Sequence, residues 1–284
     1  IIALATATGL PQTLDVTPQS VGNELILTIT KQDYFRYSHK INVMPTEGPY
    51  LILNQVEIND SNNNNKLDYD EEATLDVALH NVGFADINNV NVELSSNSPY
   101  AIINSNTTTY ATIGMNQIVN KSNAFTIKLT DNVPDQTKVY FNLTMSNGTY
   151  SFTDSFYIVA NAPKFEITHF RISDENGNPA DRLYKGQTSQ LTYTINNQGH
   201  SNSNGIHHSY LTNADFIDYH DLTIDTDGIN ANDSIDVTFV VTVYDYAPEG
   251  AVLEQYYTLL SNGYILDDRS EIALGNCIEN FENE

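Results

Sequence analysis

The sequence states one pattern twice, and that duplication limits its folds more than any other feature. "VEINDSNNNNKLDYDEEATLDVALHNVG" (56–83) parallels "FRISDENGNPADRLYKGQTSQLTYTINNQG" (170–199). Asp60, Asn62 and Asn64 stand 114 residues before Asp174, Asn176 and Asn178, while Leu75, Asn81 and Gly83 stand 116 before Leu191, Asn197 and Gly199. Further along, "DNVPDQ" (131–136) answers "DYAPEG" (245–250), and "SNGTYSFTDSFYIVAN" (146–161) answers "SNGYILDDRSEIALGN" (261–276). The chain of 284 residues is long enough for each copy to bury a core of its own.

Within each copy the apolar residues alternate with polar ones. Leu75, Val77, Leu79; Val90, Val92, Leu94; Phe125, Ile127, Leu129; Val139, Phe141, Leu143, Met145; and Ile235, Val237, Phe239, Val241, Val243 all keep a period of two. That is the signature of strands with one face buried. Turn formers such as "PDQ", "SNG", "PEG" and "TDG" separate them, and no segment holds a helical period for ten residues. The reading is all-β: two copies of ~115 residues, each with about seven short strands, as tandem immunoglobulin-like β-sandwiches. The boundaries fall at 47–162 and 163–276, with "NAP" (161–163) as the linker. Residues 1–46 are too short for such a unit. "ELILTITKQDYFRYSHKINVMP" reads as a hairpin of Leu25, Leu27 and Ile29 against Ile41 and Val43, the closing strands of a truncated immunoglobulin-like domain. Residues 277–284 open a following module.

Lys and Arg number 12 against 36 Asp and Glu, a formal net charge of −24. Such a field repels phosphate backbones and anionic lipid, which argues against nucleic-acid and membrane-surface partners, and it attracts cations. The same charge also serves plain solubility. A single cysteine, Cys277, allows no intrachain disulfide. No apolar run approaches the roughly 18 residues of a membrane helix. "IIALATATGLPQTLDVTP" lacks the basic start of a signal peptide, so the chain reads as an internal part of something longer.

The segment "DSNNNNKLDYDE" puts Asp60, Asn62, Asn64, the Lys66 carbonyl, Asp68 and Glu71 at positions 1, 3, 5, 7, 9 and 12. This is the spacing of an EF-hand calcium loop, with Asn65 where glycine belongs. Calcium takes six to eight oxygens, and this set supplies them. Asn tolerates the left-handed backbone that glycine usually provides. Leu67 at position 8 would pin the loop to the core. The flanks are strands, so the alternative is an Asn-rich turn held by side-chain to backbone bonds. In the second copy Lys185 stands at position 12, where a cation would repel the metal, and that loop reads as a plain turn.

"DSNNNNKLDYDEEATLDVALHNVG" also resembles the "D-x-N-x-N-g-x-l-d-p-G-E" opening of bacterial adhesion-type sandwiches. It departs at Asn65 and at Glu71, where that motif has glycine. "LTITKQDYFRYSHKINV" resembles the closing strands of the immunoglobulin-like domain that follows the protease domain in gingipain-like secreted cysteine peptidases. The resemblance implies a secreted or cell-surface setting, a protease domain upstream in the same chain, and a nucleophile outside these residues. What remains is a non-catalytic spacer, adhesion or partner-contact region with a protein or glycan ligand at the cell surface. An independent adhesin or carbohydrate-binding module is the alternative.

Other chemistry finds little support. His200, His207, His208 and His220 cluster without a zinc spacing, and adjacent His207 and His208 face opposite ways on extended backbone, so they read as surface-loop histidines. Cys277 lies in no catalytic signature, and no G-x-S-x-G elbow or Gly-rich phosphate loop occurs. Among the 18 tyrosines, those of "YDYAPEG" and "EQYYTLL" suit either exposed platforms or ordinary strand packing.

Overall fold

The computed structural model describes residues 3–6, 8–21, 23–212 and 214–276. Cys277 and the segment 277–284 lie outside the described residues. The described residues form strands, turns and loops, and the fold is an all-β sandwich architecture.

The chain opens with an antiparallel hairpin of β1 (Glu24–Ile29) and β2 (Tyr37–Asn42), a two-stranded sheet by itself. Ile26, Ile29, Phe35 and Tyr37 on it are exposed.

Residues 51–161 then build two packed sheets. The strands are β3 (Leu51–Asp60), β4 (Leu67–Asp68), β5 (Glu72–Asn81), β6 (Ile87–Ser95) and β7 (Ala101–Ser105). They continue with β8 (Thr107–Ile113), β9 (Ile118–Leu129), β10 (Lys138–Ser146) and β11 (Ser151–Asn161). One sheet runs β3-β5-β9-β7 and the other β4-β11-β10-β6-β8. The alternation read from the sequence is the cause. On β10, Val139, Phe141, Leu143 and Met145 are fully buried, while Tyr140 between them stays in solvent. Leu75, Val77 and Leu79 of β5 face them from the opposite sheet within one core. The buried hydroxyl of Tyr110 on β8 crosses that core to donate to the Val77 carbonyl at 2.7 Å.

Residues 165–274 repeat the plan. The strands are β12 (Phe165–Asp174), β13 (Pro179–Ala180), β14 (Thr188–Asn197), β15 (His207–Leu211) and β16 (Ile217–Tyr219). β17 (Thr223–Thr226), β18 (Ser234–Val243), β19 (Val252–Ser261) and β20 (Tyr264–Ala273) complete it. The sheets run β13-β12-β14-β18-β16 and β17-β15-β19-β20. A separate core forms around Tyr193, stacked on Tyr257 with ring centroids 4.5 Å apart.

The two sandwiches agree in fine detail. The first strand of each carries a β-bulge at the same point, Leu53/Gln55 and Ile167/His169. After that strand the chain crosses to the other sheet, where Leu67 pairs in parallel with Ala160 and Leu183 with Leu274. Asn81 is fully buried. Its Oδ1 accepts from the N–H of Tyr50 and of Gly83, and its amide donates to the carbonyls of Ala85 and Ile113. Asn197 does the same with Lys164, Gly199, Ser201 and Ile229. At the open seam of the first sandwich, the Asp154 carboxylate on β11 accepts the Leu53 N–H of β3 at 2.8 Å.

Candidate functional site

The 60–71 loop leaves β3 at Asp60 and joins the opposite sheet at β4. Asn63 and Asn65 take left-handed backbone angles, φ 57° and 59°, so Asn65 occupies the conformation for which glycine is usual. Small polar side chains then hold the loop from inside. Asn62 Oδ1 accepts the Asn64 N–H at 2.9 Å, and Asn64 Oδ1 accepts the Lys66 N–H at 2.7 Å. The amides of Asn62 and Asn64 both donate to Asp68 Oδ2, at 3.1 and 3.2 Å. Glu71 closes the ring, accepting the Asp68 N–H at 3.1 Å and the Ser61 hydroxyl at 2.9 Å. Leu67, fully buried, pins the loop to the core.

These contacts bring together Asp60, Asn62, Asn64, Asp68 and Glu71. Lys66, expected to offer its carbonyl, is tied in through its N–H, which donates to Asp60 Oδ2 at 2.9 Å as well as to Asn64. The other oxygen of Asp60 is different. Oδ1 is buried, with no hydrogen-bond partner, on a residue only 9% exposed. A buried carboxylate oxygen without a donor is costly and calls for a cation or a water. Among the described residues no three His, Cys, Asp or Glu side chains gather closely enough to hold a metal by themselves. A hard cation here would have to draw on the Asn amide and backbone oxygens as well, which is calcium's habit.

The second copy gives the control. Both oxygens of Asp174 are occupied: Oδ1 accepts the N–H groups of Asn176 and Asn178, and Oδ2 accepts the Asn178 amide at 2.8 Å. The Asn178 side chain, followed by these backbone donors, holds the Asp174 carboxyl below its usual range. Lys185 pairs with Glu249 at 3.2 Å. This loop is a self-satisfied turn.

The 60–71 loop also abuts the second sandwich. Tyr69, between Asp68 and Glu71, is buried and accepts the Asn204 N–H on its hydroxyl at 2.8 Å. Its ring meets Tyr264 edge-on at 5.5 Å, and Tyr264 donates to the Val133 carbonyl at 2.7 Å. Burial pushes the Tyr69 and Tyr264 hydroxyls above their ordinary range. Asp135, nearly buried, accepts the Ala162 N–H and binds the His200 ring at 2.7 Å. Gly263 lies so close that a β-carbon there would sit 2.6 Å from the Asp131 carbonyl oxygen. An open polar cavity of about 520 Å³ runs between the loop (Asn62, Asn64, Asp68) and the facing Asn202, Asn204 and Asn262. Sequence reasoning missed this joint because it is made by a few residues each from segments far apart in the chain, around 69, 131–135, 200–204 and 262–264.

The histidines divide. His208 is partly exposed and bonds Asp225 at 2.7 Å, and His200 belongs to the joint. His207 corrects the surface-loop reading. It is fully buried on β15, edge-on to Phe165 at 5.2 Å, and burial followed by the neighbouring His208 lowers its pKa.

Residues 162–258, most of the second sandwich, match the family model CARDB, an immunoglobulin-like β-sandwich domain. A search of curated proteins found no match. Among solved structures, the C-terminal domain of the Streptococcus agalactiae AgI/II polypeptide BspA aligns over 77% of this chain and 99% of its own, at 8% identity and TM-score 0.38. Red sea bream transglutaminase aligns over 79% of this chain at 9% identity and TM-score 0.30, and the match spans 31% of that enzyme. Escherichia coli alpha-2-macroglobulin aligns over 93% of this chain and 26% of its own, at 12% identity and TM-score 0.28. No helix among the described residues is long and apolar enough to cross a membrane.

Proposed function

We propose that this chain is a non-catalytic run of immunoglobulin-like sandwiches within a larger secreted or cell-surface bacterial protein, serving as a spacer, adhesion or partner-contact region. The division is 1–46, 47–162, 163–276 and 277–284, with the hairpin of residues 24–42 completing a preceding sandwich. The observation that carries the reading is the joint: two similar sandwiches, each with its own core, braced through Tyr69, Tyr264 and Asp135. Such bracing suits a part that holds distance and direction. The purified chain is expected to leave peptides and glycosides intact; turnover that disappears on mutating His200 or Asp135 would overturn the reading. The "LTITKQDYFRYSHKINV" resemblance supports a gingipain-like cysteine peptidase as the parent. An upstream reading frame without a protease domain would remove that part.

A structural calcium ion in the 60–71 loop belongs to the same proposal, held by Asp60, Asn62, Asn64, the Lys66 carbonyl, Asp68 and Glu71. The unpartnered Oδ1 of Asp60 supports it. Calorimetric titration of the wild type with Ca²⁺ should give binding heat and a raised melting temperature, both absent in Asp60→Ala. Equal behaviour of the two proteins would reduce the loop to a turn.

One observation favours the glycan-binding alternative. Tyr140 and Tyr157 sit opposite each other on the outer face of β10 and β11, both exposed, with ring centroids 5.6 Å apart and the Lys138 ammonium over Tyr157. Glycan-array binding lost in Tyr140→Ala would establish it.

A further inference from the structure

We propose that calcium in the 60–71 loop fixes the second sandwich against the first, so that the freedom of the joint depends on calcium. The inference rests on the calcium reading of that loop and adds what the ion would do there.

The argument starts from the short turn that carries both functions. Asp68 and Glu71, the last two side-chain ligands, flank Tyr69 and are bonded to one another through the Asp68 N–H and the Glu71 carboxylate. Tyr69 is the loop's contact with the second sandwich, through the Asn204 N–H and the Tyr264 ring. Its own N–H donates to the Asn161 carbonyl, at the start of the linker. An ion that gathers Asp68 and Glu71 therefore sets the position of the residue that meets the second sandwich and the first residue of the connection.

Charge gives the sign. The loop carries the carboxylates of Asp60, Asp68 and Glu71, which do not converge into a three-carboxylate cluster by themselves, and Asp70 on the same turn has Lys128 at 2.6 Å as its counter-ion. Like charges on one short loop repel, and the Asn62 and Asn64 amides offset this only at Asp68. With a divalent cation, the carboxylates are drawn inward and the buried Oδ1 of Asp60 gains a partner. The remaining contacts, Asp135 with His200 and Tyr264 with Val133, come from the 131–135 loop and do not pass through the calcium ligands. Loss of the ion is thus expected to free a hinge and leave the sandwiches connected.

The test uses the full chain with Cys277→Ser and spin labels at Thr109→Cys and Thr223→Cys, one exposed site on each sandwich. Pulsed dipolar spectroscopy reads the distance between them, and calorimetry runs in parallel. In Ca²⁺ the wild-type background should give one narrow distance, lost to a broad distribution in EDTA. Tyr69→Phe should bind Ca²⁺ with unchanged heat yet give a broader distance than the wild type in Ca²⁺, because the acceptor for Asn204 is gone while the ring contact with Tyr264 remains. Heat of binding with identical distributions in Ca²⁺ and EDTA would overturn the inference and leave the calcium site standing. Absence of heat in the wild type would overturn the site itself, and the inference with it.

Discussion

Asn81 and Asn197 each spend all four side-chain hydrogen bonds on backbone groups, at equivalent points in the two sandwiches. No other side chain offers two donors and two acceptor lone pairs in so short a reach. Asn81→Ala or Asn197→Ala leaves several buried backbone groups without partners, an expected loss of about 3 kcal/mol read by urea denaturation. These two residues were legible as a matched pair in the sequence, but their role was not, since an asparagine before glycine also suits an open turn. Asp60 and Asp174 show the same limit. Asp, Asn and Asn stand at the same three points of both loops, yet one carboxylate satisfies itself locally and the other keeps a buried oxygen free.

Among the elements, the strands with strict alternation were readable because burial on one face dictates every second residue. The runs on β5, β6, β9, β10 and β18 are such cases. β7, β8, β16 and β17 escaped, being short or, in β8 and β17, rich in Thr, with too few alternating apolar residues to set a period. The crossing strand β4 escaped too, since two residues carry no period. Close approach of loops is equally silent in the letters. Gly199 sits under the linker: a β-carbon there would stand 2.2 Å from the Ala162 carbonyl oxygen and 2.5 Å from the Lys164 nitrogen. Gly199→Ala must push the linker away, and a loss of about 1–3 kcal/mol is expected in the denaturation of the second sandwich. A midpoint equal to wild type would mean that the linker yields freely.

At the scale of the whole molecule, buried tyrosines tie stability to alkaline pH. Burial raises the Tyr193 hydroxyl from its ordinary 10 to about 12 and raises Tyr110, Tyr219, Tyr257 and Tyr264 further. A group whose pKa is higher folded than unfolded lends its full stabilisation below the unfolded value. It loses that contribution as pH rises through the folded one. The melting temperature should therefore hold from neutral pH to about 10 and fall steeply above it. Tyrosinate absorbance from these residues should appear together with unfolding. Ionisation of all tyrosines near 10 in a chain that stays folded would contradict their burial.

Two look-alike units tethered in a row run a particular hazard: a terminal strand of one can zip onto the exposed border of its twin or of a neighbouring molecule. The carboxylate of Asp154 answers this at the first unit. It caps the Leu53 N–H on a bulged border strand and sets a negative charge in the opening. An intruding backbone would have to displace that bond and bury the charge, so the border resists addition. Modules arranged this way can be strung together at high local density and still keep their strands to themselves.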